Sequence, residues 1–299
     1  MKVKTKSGML EEMKRTLDSL FEFTIKLYWK ATEFLGKAIG WFAHKYTTSK
    51  RFKYFVWGIA IITIALMFMS CIYRIYGTVV HAQEPQFHDY NGDGKVRVSL
   101  SAGHGASTSG KRISGYTDSP YASVDENCVH EWSLNDAVCD EIQARLEAQG
   151  IEVLRVDDPT GVSDIPLAER VRRIKEFNPD IALSIHHNSS GSLDWCNATG
   201  VETYYQALRP ESEKLAKDIA QRLSESVGLH NRGAISTDYW KLYMPRALQA
   251  QGINSVLVEG GMMDGIKDIP IISSYEGVHG YAKAVSDSVL NWLECGLKK

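Results

Sequence analysis

The chain has 299 residues, of which 44% are hydrophobic and 23% are charged, so its composition excludes wholesale disorder and allows one substantial domain plus an appendage. Residues 1–53 contain 12 Lys and Arg against 5 Asp and Glu, so the overall net charge of −2 leaves −9 for the remainder. A basic front and an acidic body without a basic patch argue against a nucleic-acid-binding protein and favour a membrane-facing N-terminal part.

The N-terminal segment, residues 1–53, is predicted to be basic, amphipathic and cytoplasmic. Within it, residues 10–46 mix apolar and charged side chains at helical spacing, with too many charges to cross a bilayer. Two arrangements fit this pattern. The apolar face lies on the inner leaflet of a membrane, or it packs against itself or a partner helix.

An uncharged stretch of 20 residues follows at positions 54–73, with basic residues at positions 50–53 before it and Arg74 after it. Its length matches a helix that crosses a hydrocarbon layer of about 30 Å. Because the basic residues crowd its N-terminal side, we expect a cytoplasmic N-terminus, a transmembrane helix at residues 54–74 and an extracytoplasmic body. A signal peptide cleaved after Ala82 is the weaker alternative, since such a leader would be unusually long.

Residues 75–94 are predicted to form a polar tether that links the span to the body. The end of the tether copies the opening of an EF-hand calcium loop from Asp89, but the twelfth position of that loop is Leu100 rather than the Glu that calcium requires. A tight turn rich in Asp, Asn and Gly explains the same residues. The turn is the favoured interpretation.

The five cysteines are Cys71 in the predicted span and Cys128, Cys139, Cys196 and Cys295 in the body. Four cysteines in an exported domain allow two disulfides in three pairings, and the sequence does not choose among them. No CxxC spacing occurs, which argues against a thiolate zinc site.

From residue 95 onward, apolar runs alternate with helical patterns. Strands are predicted at residues 96–100, 151–156, 181–185, 200–205 and 255–259, and helices at 131–150, 166–177, 211–227 and 275–293. This alternation predicts an α/β domain over residues 95–299, with a mainly parallel, twisted sheet and helices on both faces. Residues 106–130 show no clear periodicity, and loops of this length are usually functional.

The third predicted strand ends at two adjacent histidines, His186 and His187. In an open α/β sheet, ligands bind at the carboxyl ends of the strands, where these imidazoles lie. Because side chains alternate along a strand, His186 and Asn188 face one way and His187 faces the other, so we expect only one imidazole in a given pocket. The alternative is a pair of surface histidines at a strand end.

Two other residues have the same kind of position as His186. His104 follows the first strand between two glycines, which are expected to let the backbone bend sharply, and Glu131 begins the first helix. Two imidazoles and one carboxylate form a common zinc set for hydrolysis, with one position left for water. Glu259 ends a further apolar strand at the same edge and is placed either to act as the base or to cap the following turn.

Seven motifs in a fixed order resemble the zinc-dependent N-acetylmuramoyl-L-alanine amidases of the Amidase_3 type. They are Ala-Gly-His-Gly at 102–105, Glu-x-x-Leu-Asn at 131–135, Leu-Ala-Glu-Arg at 167–170, Ser-Ile-His-x-Asn at 184–188, Gly-Val-Glu-Thr-Tyr-Tyr at 200–205, Asn-Arg-Gly at 231–233 and Val-Leu-Val-Glu at 256–259. The resemblance implies one Zn²⁺ bound by His104, Glu131 and His186, with Glu259 as the catalytic residue. It also implies cleavage of the amide between N-acetylmuramic acid and L-alanine in peptidoglycan.

The sequence departs from the family pattern in two loops. Ser101-Ala102 replaces the usual Asp-Pro, and Gly-Gly-Met-Met-Asp-Gly at 260–265 replaces the usual Leu-Gly-Phe-Leu-Ser-Asn. Neither change removes a ligand, but both leave the preferred stem peptide open. Asn188 is expected to orient a ligand or to make an ordinary strand-end hydrogen bond. Arg232 is expected to meet a carboxylate of the stem peptide or to be an exposed loop arginine.

The predicted function is that of a membrane-anchored zinc amidase whose partners are peptidoglycan and the lipid membrane. Two other functions fit the same residues: a non-catalytic wall-binding or assembly protein, and a zinc peptidase acting within the stem peptide. The sequence identifies no activator protein. It also leaves open whether residues 106–130 block the pocket, an arrangement in which Asp118, Asp125 or Glu126 would have to face the metal.

Overall fold

The computed structural model describes residues 6–43, 54, 58, 61–72, 86–191 and 194–296. The chain divides into two compact units, Met1–Glu84 and Pro85–Lys299. The larger unit contains every motif singled out above. The predicted tether is described only from residue 86 onward.

The N-terminal unit contains one long helix, α1 (Lys6–Ala43), where the amphipathic pattern predicted it. Residues 61–72 are also helical. Across the described residues, no helix combines the length and the apolar character needed to cross a membrane. Of the predicted transmembrane helix at 54–74, residues 55–57, 59, 60, 73 and 74 lie outside the described residues.

The larger unit is built on a six-stranded sheet with a smaller sheet beside it. The nine strands are β1 (Arg97–Ala102), β2 (Arg112–Ser114), β3 (Ala122–Ser123), β4 (Cys128–His130), β5 (Glu152–Arg155), β6 (Ile181–Asn188), β7 (Val201–Tyr205), β8 (Asn231–Ser236) and β9 (Asn254–Met262). The order in the larger sheet is β5-β1-β6-β9-β7-β8. The first four are mutually parallel, whereas β7 pairs antiparallel with β9 and parallel with β8. The predicted mixed α/β fold with a central sheet is confirmed, and the reversal of β7 and β8 is new.

Among the described residues of this unit, six helices surround the sheet, and they lie on both of its faces. They are α2 (Glu131–Glu147), α3 (Leu167–Phe177), α4 (Pro210–Val227), α5 (Tyr243–Gln249), α6 (Ile269–Ile272) and α7 (Tyr275–Gly296). Helices α2, α4 and α7 pack on one face, and α3 and α5 pack on the other. The alternation along β6 serves both layers, because Ile181, Leu183 and Ile185 join the first core while Ala182 joins the second.

Local sequence signals set the ends of α4. Pro210 lies in its first turn, where the missing backbone N–H would have no helical partner in any case. Gly228 ends the helix with a φ of 71°, a left-handed conformation that costs glycine little. These signals explain why this helix was predictable to within one residue at its start.

Residues 106–130 were predicted as an irregular loop, and that prediction was wrong. They contain a three-stranded antiparallel sheet in the order β2-β4-β3. Strands of two or three residues are too short to show a periodic pattern, so they could not be predicted from the sequence. Strand β4 runs directly into α2, so this small sheet positions the residue that precedes Glu131.

In the acidic turn before β1, the Asp89 carboxylate accepts hydrogen bonds from the backbone of the turn itself. The Asp89 side chain accepts hydrogen bonds from the backbone N–H groups of Gly92 and Gly94, both at 2.6 Å. These bonds support the favoured interpretation of the segment as a tight turn. All five cysteines carry free thiols, so none of the three disulfide pairings is present.

Candidate active site

The three predicted ligands meet at the edge formed by the carboxyl ends of β1 and β6. His104 follows β1, Glu131 is the first residue of α2, and His186 lies near the end of β6. His104 Nε2 is 3.4 Å from Glu131 Oε2, and His186 Nδ1 is 3.2 Å from Glu131 Oε1. The imidazole planes are nearly perpendicular, at 87°. The structure therefore brings together the three residues that the sequence placed at one edge.

The backbone around His104 is unusual. His104 itself adopts a left-handed conformation with a φ of 66°. The buried guanidinium of Arg170 fixes this segment by donating hydrogen bonds to the carbonyl oxygens of Ala102 (2.5 Å) and His104 (3.0 Å). We expected the flanking glycines to provide the bend, but neither has a positive φ. At Gly103 the need is space, because a Cβ there would lie 2.3 Å from Nδ1 of His186.

The carboxylate of Glu131 is completely buried and held from one side. Its Oε1 accepts hydrogen bonds from the backbone N–H of His187 (3.2 Å) and from the Asn135 side-chain amide (3.3 Å). Burial raises the pKa of Glu131, but the hydrogen bond and charge of His186, together with the charges of His104 and Lys111, lower it to about 2. The group is therefore ionised at any pH at which the protein is expected to work.

The two adjacent histidines point to opposite faces, as their spacing predicted. His186 faces the cluster, and Ser184 Oγ lies 3.1 Å from its Nε2, which leaves Nδ1 directed at Glu131. His187 is buried on the other face, where its Nδ1 donates to Asn135 Oδ1 at 2.8 Å. Burial lowers the pKa of His187 to about 4. Only the His186 imidazole enters the site. The His187 imidazole contacts Asn135, whose amide donates a hydrogen bond to Glu131.

The donor set fits a zinc ion on three observations. Tetrahedral zinc with ligand bonds of about 2.1 Å separates its ligand atoms by about 3.4 Å, and each imidazole lies at a similar distance from one oxygen of Glu131, His104 at 3.4 Å from Oε2 and His186 at 3.2 Å from Oε1. Oε2 of Glu131 is buried and has no hydrogen-bond partner among the described residues, although Lys111 Nζ lies 3.7 Å away. Burial lowers the pKa of His104 to about 4, so its imidazole is neutral and can bind a metal.

Glu259 lies beside this cluster on the same face of the sheet. It is directly opposite His186 in the β6–β9 pair and directly opposite Glu202 in the β7–β9 pair. Directly opposite residues of neighbouring strands share a face, so His186, Glu259 and Glu202 form a row across three strands. Burial, followed by the charges of Glu131 and Glu202, raises the pKa of Glu259 well above its usual value. A carboxyl group whose pKa is raised by burial and by neighbouring charges is a candidate for proton transfer.

Glu202 was not identified from the sequence as a site residue, although it organises its surroundings. It is 3% exposed. Its Oε1 accepts hydrogen bonds from the Asn188 amide (2.7 Å) and the Tyr204 hydroxyl (2.5 Å), and its Oε2 accepts one from Arg232 Nε (2.6 Å). Both Asn188 and Arg232 thus contact Glu202. Asn188 holds the carboxylate opposite Glu259, and Arg232 pairs with a carboxylate of this chain.

A cleft of about 270 Å³ opens next to the two imidazoles. Its walls include His104 and His186 together with Ser184, Arg170 and Met244. Helices α3 and α5 form the outer wall of this cleft. The cleft therefore lies on the same face of the sheet as His186.

Sequence reasoning missed four supporting residues: Asn135, Arg170, His187 and Glu202. All four lie inside the quoted motifs, at the last position of Glu-x-x-Leu-Asn, the last position of Leu-Ala-Glu-Arg, the unspecified position of Ser-Ile-His-x-Asn and the third position of Gly-Val-Glu-Thr-Tyr-Tyr. The motifs themselves were the available signal, because each of them contains a polar residue to which the sequence analysis gave no part in the site. The hydrogen-bond partners that give each residue its part come from distant segments of the chain.

The fold and the His-Glu-His cluster are those of a mixed α/β amidase with a candidate metal centre. Residues 98–291 match the Amidase_3 family of N-acetylmuramoyl-L-alanine amidases, and the chain belongs to this family. The resemblance stated from the motifs is confirmed.

Several solved amidases share the fold. The catalytic domain of CwlV from Bacillus (Paenibacillus) polymyxa var. colistinus is 24% identical, with a TM-score of 0.52 over 67% of this chain and 98% of CwlV. AmiC2 of Nostoc punctiforme is 25% identical, with a TM-score of 0.52 over 68% and 99% of the two chains. CwlD of Clostridioides difficile, solved in complex with the GerS lipoprotein, is 21% identical, with a TM-score of 0.51 over 67% and 100%. No curated protein matches the chain significantly.

Proposed function

We propose that the chain is a zinc-dependent hydrolase that cleaves the amide bond between N-acetylmuramic acid and L-alanine in peptidoglycan. Family membership supports the class of reaction. One geometric observation supports the zinc chemistry. The ligand atoms of His104, Glu131 and His186 all lie within 4.8 Å of one another, and Glu259 is directly opposite His186 on the neighbouring strand.

Zinc held by His104, Glu131 and His186 would polarise the amide carbonyl and lower the pKa of the attacking water. Glu259 then accepts a proton from that water and donates it to the leaving amide nitrogen. The raised pKa of Glu259 favours the donating step. A nearby divalent cation favours the ionised carboxylate that the accepting step requires. The accepting step needs an ionised Glu259, and the donating step needs a protonated one. The cation favours the ionised form and burial favours the protonated form, so the two effects oppose each other on this side chain.

The surrounding residues keep this geometry in place. Asn135 holds Glu131 while also donating to the Gly103 carbonyl at 3.2 Å, so the ligand on α2 and the turn after β1 are tied together. Glu202 keeps a negative charge next to Glu259, which strengthens its hold on the proton. Each of these residues acts through another side chain rather than on the substrate.

We propose, in addition, that residues 54–74 anchor the enzyme in a membrane and restrict its action to the nearby wall. The uncharged stretch and the basic residues before it support this arrangement. Membranes from cells that produce the chain should retain it after washing with alkaline carbonate. Recovery of the chain in the carbonate wash would refute the membrane anchor and would leave the enzymatic proposal unaffected.

The enzymatic proposal is tested by incubating the purified full-length chain with peptidoglycan and identifying the released fragments by mass spectrometry. We expect whole stem peptides that begin with a free L-alanine amino group, loss of release with a chelator and recovery with Zn²⁺. Fragments cut within the stem would indicate a peptidase instead. Binding without any release would indicate a wall-binding protein.

The part of Glu259 is tested with Glu259→Gln, which removes the exchangeable proton but keeps the size of the side chain. We expect unchanged zinc content and a loss of turnover of roughly 10²- to 10⁴-fold. Glu225→Gln on the exposed face of α4 is the matched control and should retain full activity. A Glu259→Gln variant as active as the parent would overturn the assignment.

A further inference from the structure

A second group of side chains of metal-ligating types, Glu126, Cys128 and His130, lies on β4 and in the turn before it, outside the site described above. Cys128 and His130 alternate along β4 and therefore share a face, whereas Glu126 reaches them from the turn, where Asn127 adopts a left-handed conformation with a φ of 51°. One ligand atom from each lies within 4.8 Å of the others. Within the described part of the chain, this trio and the His104–Glu131–His186 cluster are the groups that meet this criterion.

One separation within the trio matches tetrahedral coordination, and a second is within a few tenths of an ångström of it. The Cys128 sulfur lies 3.6 Å from His130 Nε2, and His130 Nε2 lies 3.0 Å from Glu126 Oε2. Zinc bonds of about 2.3 Å to sulfur and 2.1 Å to nitrogen separate those two ligands by about 3.6 Å. The oxygen must move outward by a few tenths of an ångström, and the half-exposed Glu126 side chain is free to adjust by that amount.

The exposure of the three side chains increases from Cys128 to His130 to Glu126, so an ion can enter from the Glu126 side. Cys128 is 1% exposed, whereas the His130 and Glu126 side chains are 13% and 54% exposed. Burial and the charge of Glu126 raise the pKa of the Cys128 thiol, while the charge and hydrogen bond of Arg112 lower it. A cation arriving through the open Glu126 side would offset the cost of ionising the buried sulfur.

We propose that Glu126, Cys128 and His130 bind a second divalent transition-metal ion, with zinc as the preferred ion and water as the fourth ligand. A sulfur, an imidazole and a carboxylate are the ligand types that zinc accepts. The absence of a CxxC spacing argued against a thiolate site, but here one cysteine is combined with ligands of two other kinds within five consecutive residues. This inference does not depend on the proposed amidase reaction.

An ion bound by the trio would lie next to the backbone that leads to Glu131. His130 is the residue immediately before Glu131, and Cys128 pairs with Ser114 and Ser123 in the small sheet. An ion held there would join the turn at Glu126 to the strand that leads into α2. It would therefore restrain the backbone at the entrance to the helix from which Glu131 reaches the active site.

Cobalt separates this site from the catalytic one. A thiolate bound to Co²⁺ produces a charge-transfer absorption band in the near ultraviolet, and the His104–Glu131–His186 set contains no sulfur. The full-length chain, stripped with a chelator under reducing conditions, is titrated with Co²⁺ while absorption and bound metal are recorded. We expect two equivalents to bind and the near-ultraviolet band to saturate with one of them.

Variants then assign the band to its residues. Cys128→Ser should abolish it and leave one equivalent bound, and Glu126→Gln, which alters an exposed side chain, should weaken cobalt binding at this site by at least roughly tenfold. Cys196→Ser is the matched control and should retain the band. His104→Ala should also retain it while the other equivalent is lost, so the failure of one site is visible separately from failure of the other.

Three results would overturn the proposal. They are a wild-type chain that binds one equivalent of Co²⁺ without the band, a band that survives Cys128→Ser, and a band that appears only at a large excess of Co²⁺. Any of these would mean that Glu126, Cys128 and His130 satisfy one another through the observed contacts alone. Hydrogen exchange provides a second readout, because Zn²⁺ should slow exchange across residues 112–130 more in the parent than in Glu126→Gln.

Discussion

Gly103 is the position where a single methyl group tests the geometry of the metal site most directly. In Gly103→Ala the added Cβ would lie 2.2 Å from Cε1 and 2.3 Å from Nδ1 of His186. Ordinary contact between such atoms begins near 3.4 Å, so the imidazole must retreat by about 1 Å. Metal–ligand distances tolerate only about 0.2 Å. The substitution should therefore remove His186 from the ligand set without changing any ligand.

The expected effect is a loss of zinc affinity of at least roughly 100-fold, which corresponds to about 2.7 kcal/mol. Zinc binding is measured by competition with a chromophoric chelator, and urea unfolding of the metal-free protein separately reports the packing cost of about 1–3 kcal/mol. The matched control is Gly105→Ala, whose Cβ would lie 3.0 Å from the Asp164 backbone, away from His186. We expect it to lose less than about tenfold in affinity. If Gly103→Ala bound zinc as the parent does, His186 would not be a ligand in the observed orientation.

Three further predictions concern the support of the site. Arg170→Met should destabilise the protein by roughly 3 kcal/mol in urea unfolding, because the carbonyl oxygens of Ala102 and His104 lose a buried donor; stability equal to the parent would show that the left-handed turn needs no such anchor. Burial lowers the pKa of His187 from 6.5 to about 4, so the unfolded chain takes up the proton first and His187 alone should lower the stability by at most roughly 3 kcal/mol as pH drops from about 6.5 to 4; His187→Gln should make the profile less steep by that amount, and an unchanged slope would assign it to other groups such as His104. Chelation should lower the thermal midpoint and Zn²⁺ should restore it, whereas Mg²⁺, which prefers oxygen ligands, should not.

The candidate ligands were predictable because each lies at a strand or helix terminus that the sequence marks. An apolar run that stops at His186, a Gly-His-Gly turn after β1 and Glu131 at the start of a helix all fall at the same edge of a parallel sheet. Alternation along β6 also separated His186 from His187 correctly. These inferences need only the period of an element and the direction of its neighbours.

Glu202 shows where this reasoning stops. As the second residue of β7, it would lie at the opposite edge of the sheet if that strand were parallel to the others. Strand β7 is antiparallel to β9, and this reversal places its beginning opposite Glu259. Strand direction is set by how the chain returns across the sheet, which a local pattern does not encode. The importance of Asn188 and Arg232 follows from the same reversal, since both contact Glu202.

The sequence alone determined the α/β class, the three candidate ligands and Glu259, because periodicity and element ends are local properties of the chain. Only the tertiary structure decided the direction of β7, the small sheet within residues 106–130, the left-handed turn at His104 and the space that Gly103 leaves for His186. The small sheet pairs neighbouring segments whose strands are too short to show a pattern, and the other three features depend on contacts between segments far apart in the chain. Such contacts are selected by the packing of the whole domain rather than by any single stretch of residues.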